Sequence, residues 1–356
     1  MNRLVIIGNG FDLAHGLPTS YPEFIKNYIG NVSTILSKSS YDDGLIKVPF
    51  IQYLPDKNTN KFERSQADGR VRYYSTFINN IINKGLYNNW VDIENEYYTF
   101  LLDIVKSRST DEESQKKILQ NLNDAFGKLK AKLEEYLLRE IEQSFTLSPD
   151  PSISSIFKDE IDKELMESPK VVIGEYPKKT VVLNFNYTSL AEKYCSRFPR
   201  DRKSIEHYYI HGKLNDFENP IIFGFGDEID LNYQKIENLN NNQFFKNIKS
   251  FKYSRNSNYQ NAISFLDLND FQVYIMGHSC GLSDRTLLNH IFEHDNCRSI
   301  KIFYHKDLKG YNNTYYNISR HFNGKKAEMR MKVVPFDKSE SLPQVKLERK
   351  DKVNNL

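Results

Sequence analysis

The sequence predicts an α/β fold in which a Rossmann-like, doubly wound parallel sheet carries a large, mostly helical insertion. Short apolar runs rich in β-branched residues recur along the chain, as in strands that are buried on both faces of a parallel sheet. Each run is followed by glycine or polar residues and then usually by a helix-like stretch, which is typical of α/β proteins. About 170 residues separate the first run from the second, far more than one crossover helix needs.

The composition is that of an ordinary globular protein. The 356 residues leave room for two domains or one enlarged domain, and a charged fraction of 27% excludes wholesale disorder. A net charge of +3 is too small to argue for nucleic-acid binding, and three scattered cysteines exclude both a disulfide framework and a four-cysteine zinc site. No apolar run reaches the roughly 18 residues of a membrane helix, and no secretory signal is visible. We therefore expect a cytoplasmic protein without membrane contacts.

Five strands are predicted at residues 3–7, 180–184, 207–211, 272–276 and 300–304, all parallel in one sheet. A last apolar pair, Val333 and Val334, is also strand-like. Residues 1–29 and 171–337 are therefore assigned to the Rossmann domain, and residues 30–170 to the mainly helical insertion. Residues 338–356 are polar with scattered charges, which predicts a loosely ordered tail.

Within the insertion, no firm element is predicted before Tyr73, whereas residues 90–146 are predicted to be helical. A capping box at residues 110–113 precedes apolar residues spaced three and four apart, which predicts one long amphipathic helix. Residues 240–268 form another helix-like, Asn-rich stretch. The long helix would pack on the sheet or in an oligomer interface, so a homo-oligomer is one of the expected partners.

The strongest local signal is a glycine turn between the first strand and a predicted helix. The turn comprises Gly8, Asn9, Gly10, Phe11 and Asp12. Glycines allow the backbone to approach a ligand, and a helix start offers N–H groups to an anion, as at a dinucleotide pyrophosphate. Leu13 stands where the third glycine of that fingerprint would be, so a structural tight turn explains the motif as well. Gly16 would end this helix, and a capping box at residues 20–23 would open the next.

Polar side chains follow the second predicted strand. Asn184, Asn186 and Thr188 would face the crevice at the carboxyl end of the sheet, where α/β proteins bind ligands. An asparagine can hold a water molecule or a ribose hydroxyl without being ionised. Asn186 or Thr188 could instead cap the helix that follows.

Two further motifs end the next two strands. His211, followed by Gly212, could act as a general base because the pKa of histidine lies near neutral pH, or it could be a structural residue. In the later motif, Gly277 and Ser279 could contact phosphate or ribose, while Asp284 either joins them or caps a helix. Because parallel strands end at the same edge of a sheet, all four motifs should converge on one crevice. That convergence predicts a nucleotide site.

The motifs together resemble the bacteriophage abortive infection AbiH family over about residues 3–305. Residues 6–21 are similar to the opening signature of that family. Its later motifs are matched in order by Trp90, Asp92 and Glu94, by Asn184, Asn186 and Thr188, by His211 and Gly212, and by Gly277, Ser279 and Asp284. The family in turn resembles the sirtuin-like (SIR2-like) group, which binds NAD in a Rossmann-type fold.

The sirtuin-like resemblance implies roles for particular residues. Gly8, Gly10 and Asp12 fall on the glycine-turn motif, and Asn186 falls on the asparagine of the group's Thr-x-Asn-x-Asp motif. His211 falls on its catalytic histidine and Ser279 on its Gly-x-Ser loop. Three positions differ from that pattern: Asn9 replaces an alanine, Asp12 a serine and Thr188 an aspartate. The four-cysteine zinc module of the sirtuins is absent, which argues against protein deacylation.

The resemblance implies an antiphage protein that hydrolyses NAD as its substrate, without a metal, and depletes NAD during infection. His211 would accept a ribose hydroxyl proton and Asn186 would place the attacking water, while Asp12 would hold ribose or nicotinamide groups. Trp90, Asp92 and Glu94 either close the pocket from the insertion or form a capped helix start. A phage-derived trigger is expected. The alternative is a non-catalytic sensor or assembly module that binds a nucleotide such as ADP-ribose.

Overall fold

The computed structural model of the protein describes residues 1–50, 61–88, 92–107, 111–161, 176–196 and 205–350. In chain order its strands are β1 (Asn2–Ile7), β2 (Tyr41–Asp42), β3 (Ile46–Val48), β4 (Arg72–Tyr73), β5 (Thr180–Asn184), β6 (Ile205–Tyr209), β7 (Phe271–Met276), β8 (Cys297–Tyr304) and β9 (Glu340–Ser341). Its helices are α1 (Asn9–Ala14), α2 (Tyr21–Ile35), α3 (Lys61–Ala67), α4 (Thr76–Tyr87), α5 (Ile93–Lys106), α6 (Glu112–Leu137), α7 (Pro151–Ile156), α8 (Leu190–Ser196), α9 (Leu231–Glu237), α10 (Lys249–Lys252), α11 (Asn258–Leu268), α12 (Arg285–Phe292), α13 (Leu308–His321) and α14 (Lys326–Lys332).

A six-stranded sheet lies at the centre, in the order β6-β5-β1-β7-β8-β9, with every neighbouring pair parallel. The chain starts in the middle with β1, adds β5 and β6 on one side, and returns to add β7, β8 and β9 on the other. This is the strand order of a doubly wound, Rossmann-like sheet, and its topological switch point lies between β1 and β7. The five predicted strands are confirmed, each within three residues of its predicted bounds.

The carboxyl ends of the central strands are level with one another. Ile7 at the end of β1 is in register with Asn184 of β5 and with Met276 of β7, and Asn184 is in register with Tyr209 of β6. The turns that follow these strands therefore start at one height along a single edge of the sheet.

Alternation along β1 divides its side chains between two hydrophobic cores. Val5 and Ile7 pack into a core that includes Phe126 of α6 and other residues of the insertion. Leu4, on the opposite face, packs into a second core with residues such as Leu288 of α12. Successive side chains of a strand point to opposite faces, so both faces of the sheet are covered.

The predicted long helix starts one residue later than expected. Asp111 is the N-cap of α6, and its side chain accepts a hydrogen bond from the Ser114 N–H. Thr110, predicted as the cap, lies outside the described residues. The helix buries an apolar face that includes Phe126 and Leu133 and passes into one π-helical turn, Leu138–Glu142. Strands β2, β3 and β4 form a separate antiparallel sheet that was not predicted, because strands of two or three residues show no periodicity.

Residues 338–350, which fall in the segment predicted to be a loosely ordered tail, are held against the domain. Glu340–Ser341 forms the sixth strand, whereas Val333 makes a single bridge to Ile300. Beyond the strand, the Val345 N–H donates to the Ala14 carbonyl at 2.6 Å. Leu342 and Leu347 are buried. A few spaced apolar side chains are therefore enough to hold this polar segment against the domain.

None of the helices in the described part of the chain is long and apolar enough to cross a membrane.

Candidate functional site

A cavity of about 910 Å³ lies at the carboxyl edge of the sheet, at the switch point between β1 and β7. Turns after β1, β5, β6 and β7 line it, together with residues of α2, α5 and α6. The sequence-predicted site residues that line it are Gly8, Asn9, Gly10, Asp12, Asn186, Thr188, His211, Gly277, Ser279 and Asp284. The four predicted motifs thus meet in one cavity.

Phe11 and Asn184 do not line this cavity, contrary to their predicted role as binding residues. Phe11 is fully buried and packs against the rings of His15 and Tyr194. Asn184 is also fully buried, and its Oδ1 accepts a hydrogen bond from the Asn186 N–H at 3.0 Å. Both residues therefore support the turns from the protein interior, because their positions on the helix and the strand direct their side chains inward.

The glycines of the first and last motifs are explained by the contact between two turns. The Gly10 N–H donates to the Gly277 carbonyl at 2.8 Å. A Cβ atom at Gly277 would lie 2.1 Å from the Phe11 nitrogen, and one at Gly8 would lie 2.6 Å from the Cα of His278. Gly277 also has a φ of +73°, which favours glycine. Close approach of backbone to backbone, rather than to a ligand alone, accounts for these residues.

Asp12 is the centre of a buried hydrogen-bond cluster. Its Oδ1 accepts a hydrogen bond from Asn186 Nδ2 at 2.9 Å, and its Oδ2 accepts one from the Thr188 hydroxyl at 2.8 Å. Asn186 Nδ2 also donates to the Gly8 carbonyl at 3.0 Å. The cluster joins the turn after β1 to the turn after β5.

Burial raises the pKa of Asp12 to about 7, although the hydrogen bonds from Thr188 and Asn186 oppose the shift. A carboxyl group taken out of water loses more hydration when it is ionised than when it is neutral. Asp12 is therefore close to half-protonated at neutral pH.

A second cluster, which we call the ionic chain, comprises His211, Asp284, Lys249 and Glu94. Asp284 Oδ1 lies 2.9 Å from His211 Nε2 and 3.1 Å from Lys249 Nζ. Lys249 Nζ also donates to Glu94 Oε2 at 2.9 Å. All four side chains are buried and line the cavity.

The charges of the ionic chain differ in how firmly they are held. Lys249 lowers the pKa of Asp284 well below its usual range, against the effect of burial. Burial raises the pKa of Glu94 to about 7, and Lys249 opposes this rise only in part. Burial, with Lys249 beside it, lowers the pKa of His211 below its usual value. At neutral pH this gives an ionised Asp284, a neutral histidine and a glutamate near its midpoint.

Sequence reasoning missed Lys249 and undervalued Glu94. Lys249 lies in the Asn-rich helical stretch, where no sequence motif marks it. Only its burial in the structure, with 1% of its surface exposed, shows that it belongs to the site. Glu94 was considered together with Asp92, which does cap α5 by accepting a hydrogen bond from the Asn95 N–H. Trp90 lies outside the described residues.

Asp284 precedes α12 but makes no side-chain capping bond, so its side chain faces the cavity instead.

The remaining predicted site residues, Ser279 and Asn9, lie at the margin of the cavity. Ser279 is exposed and its carbonyl accepts a hydrogen bond from Asn317, while Asn9 accepts one from the Thr19 hydroxyl. Within the described ranges, no group of three or more His, Cys, Asp or Glu side chains is arranged to hold a metal ion.

The fold and the cavity define a doubly wound α/β protein with a polar cavity at its topological switch point, where this class of fold binds ligands. The model of one family, Bacteriophage abortive infection AbiH, matches residues 4–306. The chain belongs to this family, and the family implies a role in phage abortive infection. No curated protein matches the chain.

Proposed function

We propose that this AbiH protein is an NAD⁺ glycohydrolase that cleaves the nicotinamide–ribose bond and depletes cytoplasmic NAD during phage infection. The observation that carries the proposal is the cavity itself. Asp12, Asn186, His211 and Ser279, which fall on sirtuin-like NAD-site positions, line one cavity at the switch point.

The pairing of Asp12 with Thr188 supports the sirtuin-like relation. In the sirtuin-like pattern a serine stands at the first position and an aspartate at the second, and here the two residue types are exchanged. The Thr188 hydroxyl donates to Asp12 at 2.8 Å, so these two motif positions are in direct contact in this protein.

The chemistry places modest demands on the cavity. Nicotinamide leaves the ribose as a neutral molecule, so no general acid is needed, and positive charge develops on the ribose. An ionised Asp284 beside the cavity would stabilise that charge, and neutral His211 would accept a ribose hydroxyl proton. The Asn186 amide nitrogen donates to the Gly8 carbonyl and to Asp12, so its Oδ1 is the atom that would hold water.

Nicotinamide release is the direct test, measured with purified protein and in lysates of phage-infected cells, since a phage-derived trigger would control a toxic activity. We expect His211→Ala to lower the rate by about 10²–10⁴-fold, the usual loss for an acid–base group. His290→Ala is the control, because this histidine of α12 does not line the cavity. NAD loss that persists in both His211→Ala and Asn186→Ala would refute the site assignment.

A non-catalytic ADP-ribose sensor is the second candidate. It is favoured by the structural use of two candidate site residues, because the buried Asn186 side chain donates to the buried Asp12 carboxylate at 2.9 Å. A sensor would be stabilised thermally by ADP-ribose through ligand linkage, yet would release no nicotinamide even in infected lysate.

A further inference from the structure

The ionic chain connects the Rossmann sheet to the insertion. His211 and Asp284 belong to turns at the sheet edge, whereas Glu94 lies in the first turn of α5 in the insertion. Lys249 Nζ bridges the carboxylates of Glu94 and Asp284 at 2.9 and 3.1 Å. A single ammonium group therefore holds two carboxylates that face the same cavity.

The two carboxylates are not equivalent. Asp284 Oδ1 faces both Lys249 and His211, so that oxygen is shared between two nitrogen atoms. Glu94 uses Oε2 for Lys249 and Oε1 for the Gly224 N–H, one donor to each oxygen. Since each carboxylate oxygen has two lone pairs, Glu94 keeps acceptor capacity toward the cavity.

Resting on the proposed NAD⁺ glycohydrolase function, in which His211 acts on a ribose hydroxyl, we propose that Glu94 is the general base toward the attacking water and that Lys249 is the positioning residue that holds it. The water oxygen forms a bond to C1′ of the ribose while Glu94 accepts a proton from that water. The bond between C1′ and the nicotinamide nitrogen breaks, and its electron pair stays with nicotinamide, which leaves neutral. Glu94 then releases the proton to solvent.

Acid–base catalysis works best when the pKa of the group lies near the working pH. Burial raises the pKa of Glu94 to about 7, whereas Lys249 keeps the pKa of Asp284 far lower. Two carboxyl groups whose environments separate their pKa values divide the roles: one exchanges protons and the other remains an anion. Asp284 would then stabilise the ribose cation.

Several groups from the surrounding elements face Glu94 and contribute to its titration. The charged ones are Asp92, Lys249, Lys252 and Asp284. The neutral phenols are Tyr21, Tyr187 and Tyr253, each with a pKa held well above its usual value. Lys249 lowers the pKa of Glu94, while Asp92 and Asp284 raise it.

The test compares Glu94→Gln with Glu96→Gln. Glu96 is a buried glutamate of the same helix that is also paired with a lysine, Lys84, but it does not line the cavity. We expect Glu94→Gln to lower kcat for nicotinamide release by about 10²–10⁴-fold, with ADP-ribose stabilisation unchanged. Glu96→Gln should keep the wild-type kcat.

The pH dependence of kcat gives a second readout that does not require the Gln variant to fold. Wild-type activity should fall between about pH 8 and about pH 5, as Glu94 becomes protonated. Asp12 titrates in the same range, so Asp12→Asn is the discriminating variant: it should keep this decline if Glu94 is responsible. Lys249→Met should move the decline to higher pH, because it removes the cation that lowers the pKa of Glu94.

The outcomes separate the two proposals. Failure of the wild-type protein to release nicotinamide in infected lysate would overturn the proposed function, and the general base with it. Nicotinamide release by the wild type with an undiminished rate in Glu94→Gln, or with no decline of kcat toward acid pH, would overturn only the role of Glu94.

Discussion

Two side-chain clusters that line the cavity differ in how the protein holds them. The Asp12 cluster joins two turns of the sheet through hydrogen bonds from the neutral side chains of Asn186 and Thr188 and through backbone contacts. In the ionic chain, by contrast, Lys249 is buried between two carboxylates. The first cluster depends on hydrogen-bond geometry and the second on charge balance, so substitutions in the two clusters should fail in different ways.

The largest effect is expected for Lys249→Met, which leaves Glu94 and Asp284 buried without their cation. Removing one partner of a buried ionic cluster costs about 3–5 kcal/mol. Urea denaturation at neutral pH would measure this loss. Adding Glu94→Gln to the variant should recover part of it, and no recovery would show that Lys249 acts through packing alone.

The next largest effect is the pH dependence of stability that Asp12 causes. The pKa of Asp12 is raised from 3.8 to about 7 in the folded state, so its contribution to stability is present at acid pH and is lost as the pH rises through about 7. A shift of this size corresponds to about 4 kcal/mol. Asp12→Asn should flatten this part of the stability–pH curve between about pH 4 and about pH 8. An unchanged curve would place the titration elsewhere.

Gly277→Ala should disrupt the contact between the two turns. Its Cβ would lie 2.1 Å from the Phe11 nitrogen at a residue with φ of +73°, and we expect a loss of about 2–3 kcal/mol. Gly281→Ala is the matched control in the same loop, because the nearest atom to its Cβ is 3.6 Å away. Equal thermal unfolding of the two variants would contradict this account.

The smallest effect is expected for Thr188→Val, which removes one hydrogen bond to Asp12. Loss of a buried hydrogen bond costs about 1–2 kcal/mol, and it should also raise the pKa of Asp12 because Thr188 lowers it. Thr188→Ser keeps the hydroxyl and serves as the control. A comparison of the two variants by chemical denaturation across pH would reveal both effects.

Much of the sheet and part of the site were predictable because their signals are local. The apolar runs of β1, β5 and β7 are continuous, as expected for strands that are buried on both faces. The residues at their ends were found because turn glycines and polar side chains follow directly. The capping box at Ser20 was predicted correctly for the same reason, since its partner Glu23 lies three residues away.

The parts that were missed depend on contacts between distant segments. Lys249 is one of many lysines in the sequence, and its role arises from Glu94 and Asp284, which lie 155 and 35 residues away. Likewise, the tail was expected to be loose, because nothing in its composition shows that Val345 and Leu347 meet the end of α1.

The sequence by itself determined the five central strands, the glycine turns and the family of the protein, since these depend on short patterns of residue type. Only the tertiary structure decided which polar residues share the cavity and which are charged there. The physical reason is that the pKa of a carboxyl group depends on burial and on neighbouring charges. Asp12, Glu94 and Asp284 are all acidic residues in the sequence. The fold surrounds Asp12 with neutral donors and buries Glu94 beside Lys249, so that the pKa of each is raised, whereas it keeps Asp284 ionised by lowering its pKa.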